Sequence, residues 1–330
     1  MIEAVVIGRV GVDLTPSTPR TSLADADSFV RAVGGFAGNI GTGLARLGIG
    51  TGVVSAVGDD GHGEHVRTFL AGEGVDVGAV ATVRASRTQV AFFEAWPPDR
   101  FPVTFYRSQP APETRLTGAD LPAGMIRGAR AIIVSGALLA GEQARSTVLE
   151  LMAGRRASGS RWPGSMTILD LDWRPTLWAD PAEAPALIGK AARLSDIVIG
   201  SDEEFGAAEL RPEPAARSAA TPGDIAGPGP TLIVIKHGPD GVSIVTRDDR
   251  RSVAGIAVEV VCGLGSGDAF SAAFVAGLLR GLDPLAAAER GNAAGAIVAG
   301  RLMCSTAMPT PGEIDRRLAR PAVTTQGARP

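Results

Sequence analysis

The chain has 330 residues, of which 45% are hydrophobic and 20% charged, so we expect a folded protein with a large core. A net charge of −3 without a basic stripe argues against nucleic acid as a partner. Two cysteines are too few for a disulfide framework. The first residues resemble a buried strand rather than a signal peptide, and no apolar run is long enough to cross a bilayer. We therefore expect a soluble cytoplasmic protein with no membrane partner.

Short apolar runs alternate with helical patterns along the chain. The runs read as strands buried on both faces at residues 5–7, 52–55, 131–134, 167–169, 197–199 and 232–235. Helical patterns lie between most of them, including residues 39–47, 62–71 and 143–152. This alternation predicts an α/β fold in one domain spanning residues 1–330, with a central, mainly parallel sheet flanked by helices.

Two segments interrupt the alternation, at about residues 14–33 and 88–108. The second contains two β-rich runs around the turn Pro97-Pro98-Asp99, which predicts a hairpin standing off the main sheet. The first segment is expected to pair with it, giving a small β-sheet lid. Residues 211–230, rich in Pro, Ala and Gly, are predicted to form a surface loop.

The most informative motif is Gly-Ser-Gly-Asp at residues 265–268, between an apolar run at 256–261 that predicts a strand and a helical pattern at 269–279. Such a junction aims unpaired backbone amides and the positive end of a helix at one point, which suits an anion. Asp268 in the first turn could then deprotonate a hydroxyl beside a phosphate being transferred. The alternative is that Asp268 only caps a helix.

Other phosphate motifs do not fit the sequence. Neither of the two lysines, Lys190 and Lys236, has the glycine spacing of a P-loop, and the glycines near residue 265 fail the dinucleotide-binding spacing.

Two motifs in order resemble one family. The segment GGFAGNIGTGLARLG at residues 34–48 looks like the N-terminal signature of the ribokinase (PfkB) family of sugar kinases, and GSGDAF at 265–270 is similar to its C-terminal signature. Residues 7–14, 105–107, 170–178 and 291–310 extend the resemblance from about residue 3 to 315, toward members that act on a sugar acid.

The resemblance implies a ribokinase-like fold and transfer of the γ-phosphate of ATP, with Mg²⁺, to a primary hydroxyl of a sugar acid. It also implies a homodimer formed through the lid. Another sugar kinase of the family and a non-catalytic sugar sensor are the alternatives, and retention of the base at residue 268 argues against a sensor.

By the same resemblance, Asp268 is the base, and the amides of Gly265, Ser266 and Gly267 bind the charge on the transferring group. Sugar hydroxyls are expected to contact Asp13 and the signature residues Gly34, Gly35 and Asn39. Without the motifs, these would read as turn glycines, a turn aspartate and a helix cap.

Arg107 and Arg174 lie in motifs near the substrate and suit a carboxylate, because arginine binds that group bidentately. Most arginines of a chain are solvated surface groups, which is the alternative for both. Asp170 and Asp172 are expected to hold Arg174 in place, although an approach to the metal and phosphates is open.

Glu203 matches the glutamate of an Asn-x-x-Glu motif and is expected to reach Mg²⁺ through water, with Gly200 in place of the asparagine. It could equally be a first-turn helix acid. Residues matched to the ATP site are Lys236, Gly238, Gly241, Asn292 and Ala293. Cys262-Gly263 replaces the usual Asp-Thr before the C-terminal signature, which argues against potassium activation.

Overall fold

The protein is described here by a computed structural model that covers residues 1–158, 164–213 and 229–319. Over these residues nine strands form the main sheet in the order β13-β12-β11-β10-β9-β8-β1-β4-β5. Their bounds are β1 Ala4–Ile7, β4 Thr51–Gly58, β5 Val80–Val83, β8 Ala131–Ser135, β9 Met166–Asp170, β10 Ile197–Ser201, β11 Leu232–Lys236, β12 Gly241–Thr246 and β13 Arg250–Ala254. The strands from β5 to β11 run parallel, and β12 and β13 add an antiparallel edge.

Helices cover both faces of this sheet. They are α1 Phe36–Arg46, α2 Gly61–Gly72, α3 Ala123–Gly128, α4 Glu142–Ala157, α5 Ala184–Leu194, α6 Asp202–Ala207, α7 Ser266–Leu279, α8 Pro284–Ala299 and α9 Pro311–Leu318. Within β1, Val6 packs into the apolar cluster that contains α1 and α7, whereas Val5 and Ile7 pack into the cluster on the other face. Strands with no solvated face therefore lack polar alternation, which is why they read as continuous apolar runs.

A separate four-stranded sheet has the order β3-β2-β6-β7, with β2 Gly11–Pro16, β3 Phe29–Gly34, β6 Val90–Phe93 and β7 Val103–Tyr106. β6 and β7 form the predicted hairpin, and β2 pairs with β6 in parallel. The predicted fold class, a mainly parallel central sheet flanked by helices with a small second sheet, is confirmed. The predicted loop at residues 211–230 lies largely outside the described residues.

The strand predicted at residues 256–261 is wrong. Those residues follow β13 and are partly or fully exposed, with Val258 38% exposed. The polar segment Arg250–Ala254 takes the sheet edge instead, because a short turn lets it form a hairpin with β12. The apolar run is then held outside the sheet, where Arg317 donates to Ala257 O and the amides of Val261 and Cys262 donate to Ala299 O.

Helix α7 is buried over the whole stretch from Ala269 to Leu279. A helix that is apolar on all sides belongs in the interior, so α7 is fixed against its neighbours α8 and α1. Its N-terminus lies at the edge where β9 and β11 end, because Lys236 Nζ of β11 contacts both Asp170 of β9 and the Gly267 turn. In the described part of the chain, no helix is long and apolar enough to cross a membrane.

Candidate active site

A cavity of about 570 Å³ opens where α7 begins, and the small sheet forms one of its walls. The structure brings seven of the predicted site residues to its lining: Asp13, Gly35, Asn39, Arg174, Glu203, Gly265 and Asp268. They come from the small sheet, the segment after β9 and the starts of three helices, so their convergence depends on the tertiary fold. Apolar side chains of the small sheet, including Phe93 and Phe105, complete the wall.

Asp268 is the third residue of α7. Asn39 Nδ2, from α1, donates to Asp268 Oδ2 at 2.7 Å and fixes the carboxylate in the cavity. Burial and the nearby Asp172 carboxylate raise the pKa of Asp268 to about 6, against the lowering effects of Asn39, Lys236 and Arg174. A carboxylate with this pKa is ionised at neutral pH yet basic enough to accept a proton from a hydroxyl.

The turn before Asp268 requires glycine. Gly265 has φ +79°, and a Cβ there would lie 2.9 Å from Cys304 Cβ. Ser266 Oγ donates to Gly263 O at 2.7 Å and holds the turn closed. Amides in the first turn of a helix have no intrahelical acceptor, although the Ser266 amide also donates to Gly263 O at 3.4 Å. Binding of an anion at Gly265, Ser266 and Gly267 stays a prediction.

Asp13, on β2, is 9% exposed. Burial raises its pKa to about 6, although the Cys304 thiol hydrogen-bonds to it and Arg9 lies nearby. Gly34, on β3, pairs with Gly11 of β2, and a Cβ there would lie 1.9 Å from Asp13 Oδ2. Gly35 caps α1 with φ +81°, and a Cβ there would lie 2.7 Å from Arg9 O. Because Gly34 and Gly35 have no side chains, the Asp13 carboxylate and the backbone at Arg9 can lie close to the start of α1.

Asp172 organises the charges on the opposite wall. Arg9 Nη2 donates to both Asp172 oxygens at 3.1 and 2.9 Å, and Ser135 Oγ donates to Oδ2 at 2.6 Å. Arg174 Nη2 lies 3.4 Å from Asp172 Oδ1 and its side chain is 43% exposed, so the guanidinium is held and still open to the cavity. Asp172 has φ +38°, a conformation that costs a non-glycine residue free energy and occurs mainly at functional sites.

Arg107 forms a buried ion pair. Its Nη2 pairs with Glu113 Oε1 at 2.5 Å, both side chains are largely buried, and Arg107 is not among the residues that line the cavity. Burial and the nearby Arg9 lower its pKa, and Glu113 opposes this. In this conformation Nη2 pairs with Glu113, while Nη1 is buried without a hydrogen-bond partner among the described residues, so a role in substrate binding stays a prediction.

The residues matched to the ATP site lie in two places. Lys236 ends β11, and Gly238 and Gly241 follow with φ +59° and +105° in a tight turn that leads into β12. Asn292, on α8, donates to Ala254 O at 2.9 Å. Ala293, on the same helix, is completely buried in the core, and the placement of this helix beside the adenine stays a prediction.

Glu203 is exposed in the first turn of α6 and lines the cavity. Its neighbour Glu204 closes a capping box with Ser201 and accepts from the Trp173 amide at 3.0 Å. Within the described ranges, no group of three or more His, Cys, Asp or Glu side chains could hold a metal ion. Mg²⁺ keeps several waters and binds mainly through phosphates, so an exposed carboxylate such as Glu203 suits it without a dedicated set of protein ligands.

Sequence reasoning missed Arg9, Gln89 and Cys304 as cavity residues. Arg9 lies inside a motif that was used only for the family resemblance. Cys304 reaches Asp13 across most of the chain, and neither spacing nor composition signals such a contact. Gln89 is 3% exposed beside β6, where nothing in the sequence marks a buried amide as facing a ligand.

Comparison with known proteins agrees with this geometry. Residues 1–311 match the pfkB family carbohydrate kinase description. The chain belongs to this family. Membership makes it a phosphotransferase that acts on a sugar hydroxyl.

Relatives of similar length carry a more specific name. The protein named 5-dehydro-2-deoxygluconokinase from Clostridium tetani is 31% identical over 317 residues, which cover 95% of this chain and 91% of that protein. The protein of the same name from Photobacterium profundum is 33% identical over 312 residues, covering 94% and 92%.

Solved structures share the ribokinase-like fold. A fructokinase from Vibrio cholerae O395, in a form bound to fructose, ADP and calcium, has a TM-score of 0.81 at 24% identity and covers 96% of this chain and 99% of its own. An uncharacterized sugar kinase from Pyrococcus horikoshii in complex with ATP has a TM-score of 0.78 at 24% identity, with coverage of 96% and 99%.

Proposed function

We propose that the protein transfers the γ-phosphate of MgATP to a primary hydroxyl of 5-dehydro-2-deoxy-D-gluconate, and so acts in myo-inositol catabolism. The observation that carries this proposal is one cavity lined by Asp268, Asp13 and the open side of the Arg174 guanidinium. The relatives named above support the substrate, since their similarity extends over nearly the whole chain.

Asp268 would take the proton from the substrate hydroxyl as its oxygen attacks phosphorus. Asn39 holds one carboxylate oxygen at 2.7 Å, which leaves the other oxygen free to meet the hydroxyl. The amides of Gly265, Ser266 and Gly267, with the helix dipole behind them, would stabilise the negative charge on the group in transfer. Asp13 would accept hydrogen bonds from other sugar hydroxyls and set the orientation of the substrate.

The residues present fit MgATP. When bound, MgATP supplies the phosphoryl group and the cation that neutralises charge between the phosphates. Lys236 Nζ lies beside the Gly267 turn, and the turn at Gly238 and Gly241 would follow the phosphate chain. Glu203 would hold the cation through water, as part of the cavity wall. Helix α8, which carries Asn292 and Ala293, would border the adenine.

Arg174 would bind the substrate carboxylate, because only part of its donor set is used by the Trp173 carbonyl and Asp172. Replacing Arg174 with Ala should raise KM for the acid by roughly 10- to 100-fold, the equivalent of about 1.5–3 kcal/mol for a lost charged hydrogen bond. KM for ATP should stay within twofold. Arg247→Ala, at an exposed position just after β12, is the matched control.

The comparison needs the acid and a neutral analogue in which an alcohol replaces the carboxylate. Selective loss of activity with the acid supports the clamp, and equal losses with both compounds would contradict it. A preference for 2-dehydro-3-deoxygluconate or a neutral sugar would favour another sugar kinase of the family. A protein that binds the acid without turnover would be a sensor.

We also propose that the chain acts as one kinase domain whose small sheet is a lid, and that the lid pairs two copies into a homodimer. One row of aromatic rings on this sheet supports the pairing. Phe92 makes edge contacts with Phe29 at 5.6 Å and Tyr106 at 5.5 Å between ring centroids, and Tyr106 is 62% exposed. Tyr106→Glu should shift the sedimentation of the protein to that of a monomer.

A further inference from the structure

Asp170 is a buried carboxylate that the proposed chemistry does not use. It ends β9, and its side chain is 3% exposed. Ser271 Oγ, one turn beyond Asp268 on α7, donates to Asp170 Oδ2 at 2.7 Å, and the Asp172 amide lies 3.3 Å from Oδ1. Lys236 Nζ lies 3.6 Å from Oδ2. Asp170 therefore joins β9, β11 and α7 at the point where the cavity begins.

The Lys236 ammonium lies in an unusual place. A Cβ added to Gly267 would come within 3.4 Å of Lys236 Nζ, so the ammonium lies against the first turn of α7. A helix N-terminus carries partial positive charge and disfavours a cation. The ammonium can stay there only if a carboxylate holds it or an anion shares the position.

Asp170 is the carboxylate that holds it. Burial lowers the pKa of Lys236, but the nearby carboxyls, Asp170 first among them, raise it above its ordinary value overall. Burial raises the pKa of Asp170 above its ordinary value overall, and Lys236 opposes that rise, so each group favours the charged form of the other. Ser271 removes the remaining freedom of the carboxylate by its hydrogen bond to the same oxygen.

We propose that Asp170 and Ser271 are positioning residues that hold the Lys236 ammonium beside Gly267, where it stabilises the charge of the phosphoryl group in transfer. The inference rests on the proposed phosphotransfer at Asp268. It adds that Lys236 acts at the transferring group itself and that Asp170 acts only through Lys236.

A double-mutant cycle tests this dependence. Lys236→Met should lower kcat by roughly 10²-fold, as loss of a charge-stabilising donor does. Asp170→Asn, which keeps the shape and the Ser271 contact, should lower kcat about tenfold, with a smaller change in KM for ATP. In the Lys236→Met background, Asp170→Asn should cause no further loss of kcat. If Asp170→Asn lowered kcat by the same factor in the parent and in the Lys236→Met background, the proposal would be overturned.

The chain has two lysines, which makes a direct measurement possible. Protein labelled with ¹³C at the lysine Cε gives one side-chain signal for Lys236 and one for Lys190, which is exposed on α5 and serves as the internal control. Without any ligand, Asp170→Asn should move the titration of Lys236 to lower pH and leave that of Lys190 unchanged. Ser271→Ala should move Lys236 in the same direction by a smaller amount.

An unchanged Lys236 signal in both variants would overturn the proposal, even if activity fell. A change in the Mg²⁺ dependence of kcat with no change in Lys236 would do the same, because Asp170 would then act on the cation. Lys190→Met should keep parental kcat. Full activity of Asp268→Asn would contradict the proposed function. The Lys236 titration uses no substrate, so its result would not depend on that outcome.

Discussion

Asp268→Asn separates catalysis from stability, because the structure predicts opposite effects on the two. The folded-state pKa of Asp268 is raised from 3.8 to about 6, so the native state binds the proton more tightly than the unfolded chain. Above the folded pKa, the buried charge therefore lowers the free energy of unfolding. Two pKa units correspond to about 3 kcal/mol at 1.36 kcal/mol per unit.

The asparagine cannot accept the hydroxyl proton, and kcat should fall by about 10²–10⁴, the contribution of a positioned general base. It removes the buried charge as well, so the variant should melt above the parent at pH 8, by as much as roughly 4 °C for a chain of this length. The advantage should shrink as the pH falls through 6 and be mostly lost near 4, where the folded carboxyl is protonated and the unfolded one, with a pKa of 3.8, is about half protonated.

The assays are coupled ADP release at saturating ATP and thermal unfolding at pH 4, 6 and 8. Glu142→Gln is the matched control, since Glu142 is an exposed first-turn acid of α4. It should keep parental kcat. Loss of this acid from the first turn should lower the free energy of unfolding by about 0.3–1 kcal/mol at most, through the helix dipole. Near-parental kcat in Asp268→Asn would refute the base, and a lower melting temperature at pH 8 would refute the electrostatic argument.

Three further predictions follow from the same geometry. Arg107→Ala should destabilise the protein by about 3–5 kcal/mol in denaturant unfolding, because it leaves Glu113 buried and unpaired, and a loss under 1 kcal/mol would argue against a structural pair. The kcat/KM for sugar should fall as the pH drops through about 6, where Asp268 takes up a proton, and a flat profile down to pH 5 would contradict the raised pKa. Gly265→Ala should abolish most activity, whereas Gly281→Ala, with a similar φ of +84° in open space, should cost only stability, and equal activities would show that the Gly265 turn does not serve catalysis.

The sequence predicts the main sheet well because its strands are buried on both faces. A run such as residues 131–134 has no polar position, and that pattern requires helices on both sides. The sequence also predicts the glycine turn at residues 265–268, because a positive φ and the close approach of Cys304 restrict position 265 to glycine. A local backbone requirement and continuous burial each produce a pattern within a few residues of sequence.

Contacts that depend on the tertiary fold produce no such local pattern in the sequence. Arg107 was assigned to substrate from its motif, and only the fold brings Glu113 against it at 2.5 Å. Arg9 and Asp172 are 163 positions apart and meet because β1 and β9 both lie beside β8 in the sheet. The edge strand β13 was missed because an exposed edge needs no apolar residues, whereas the apolar run at 256–261 suggested a strand.

The most direct test of the account is kcat/KM of the purified protein over a panel of sugar acids and neutral sugars, measured with MgATP. The account predicts that 5-dehydro-2-deoxy-D-gluconate is phosphorylated with a higher kcat/KM than ribose, fructose or adenosine, and that 2-dehydro-3-deoxygluconate ranks between. A higher kcat/KM for a neutral sugar or a nucleoside would contradict the assignment of a sugar acid as substrate.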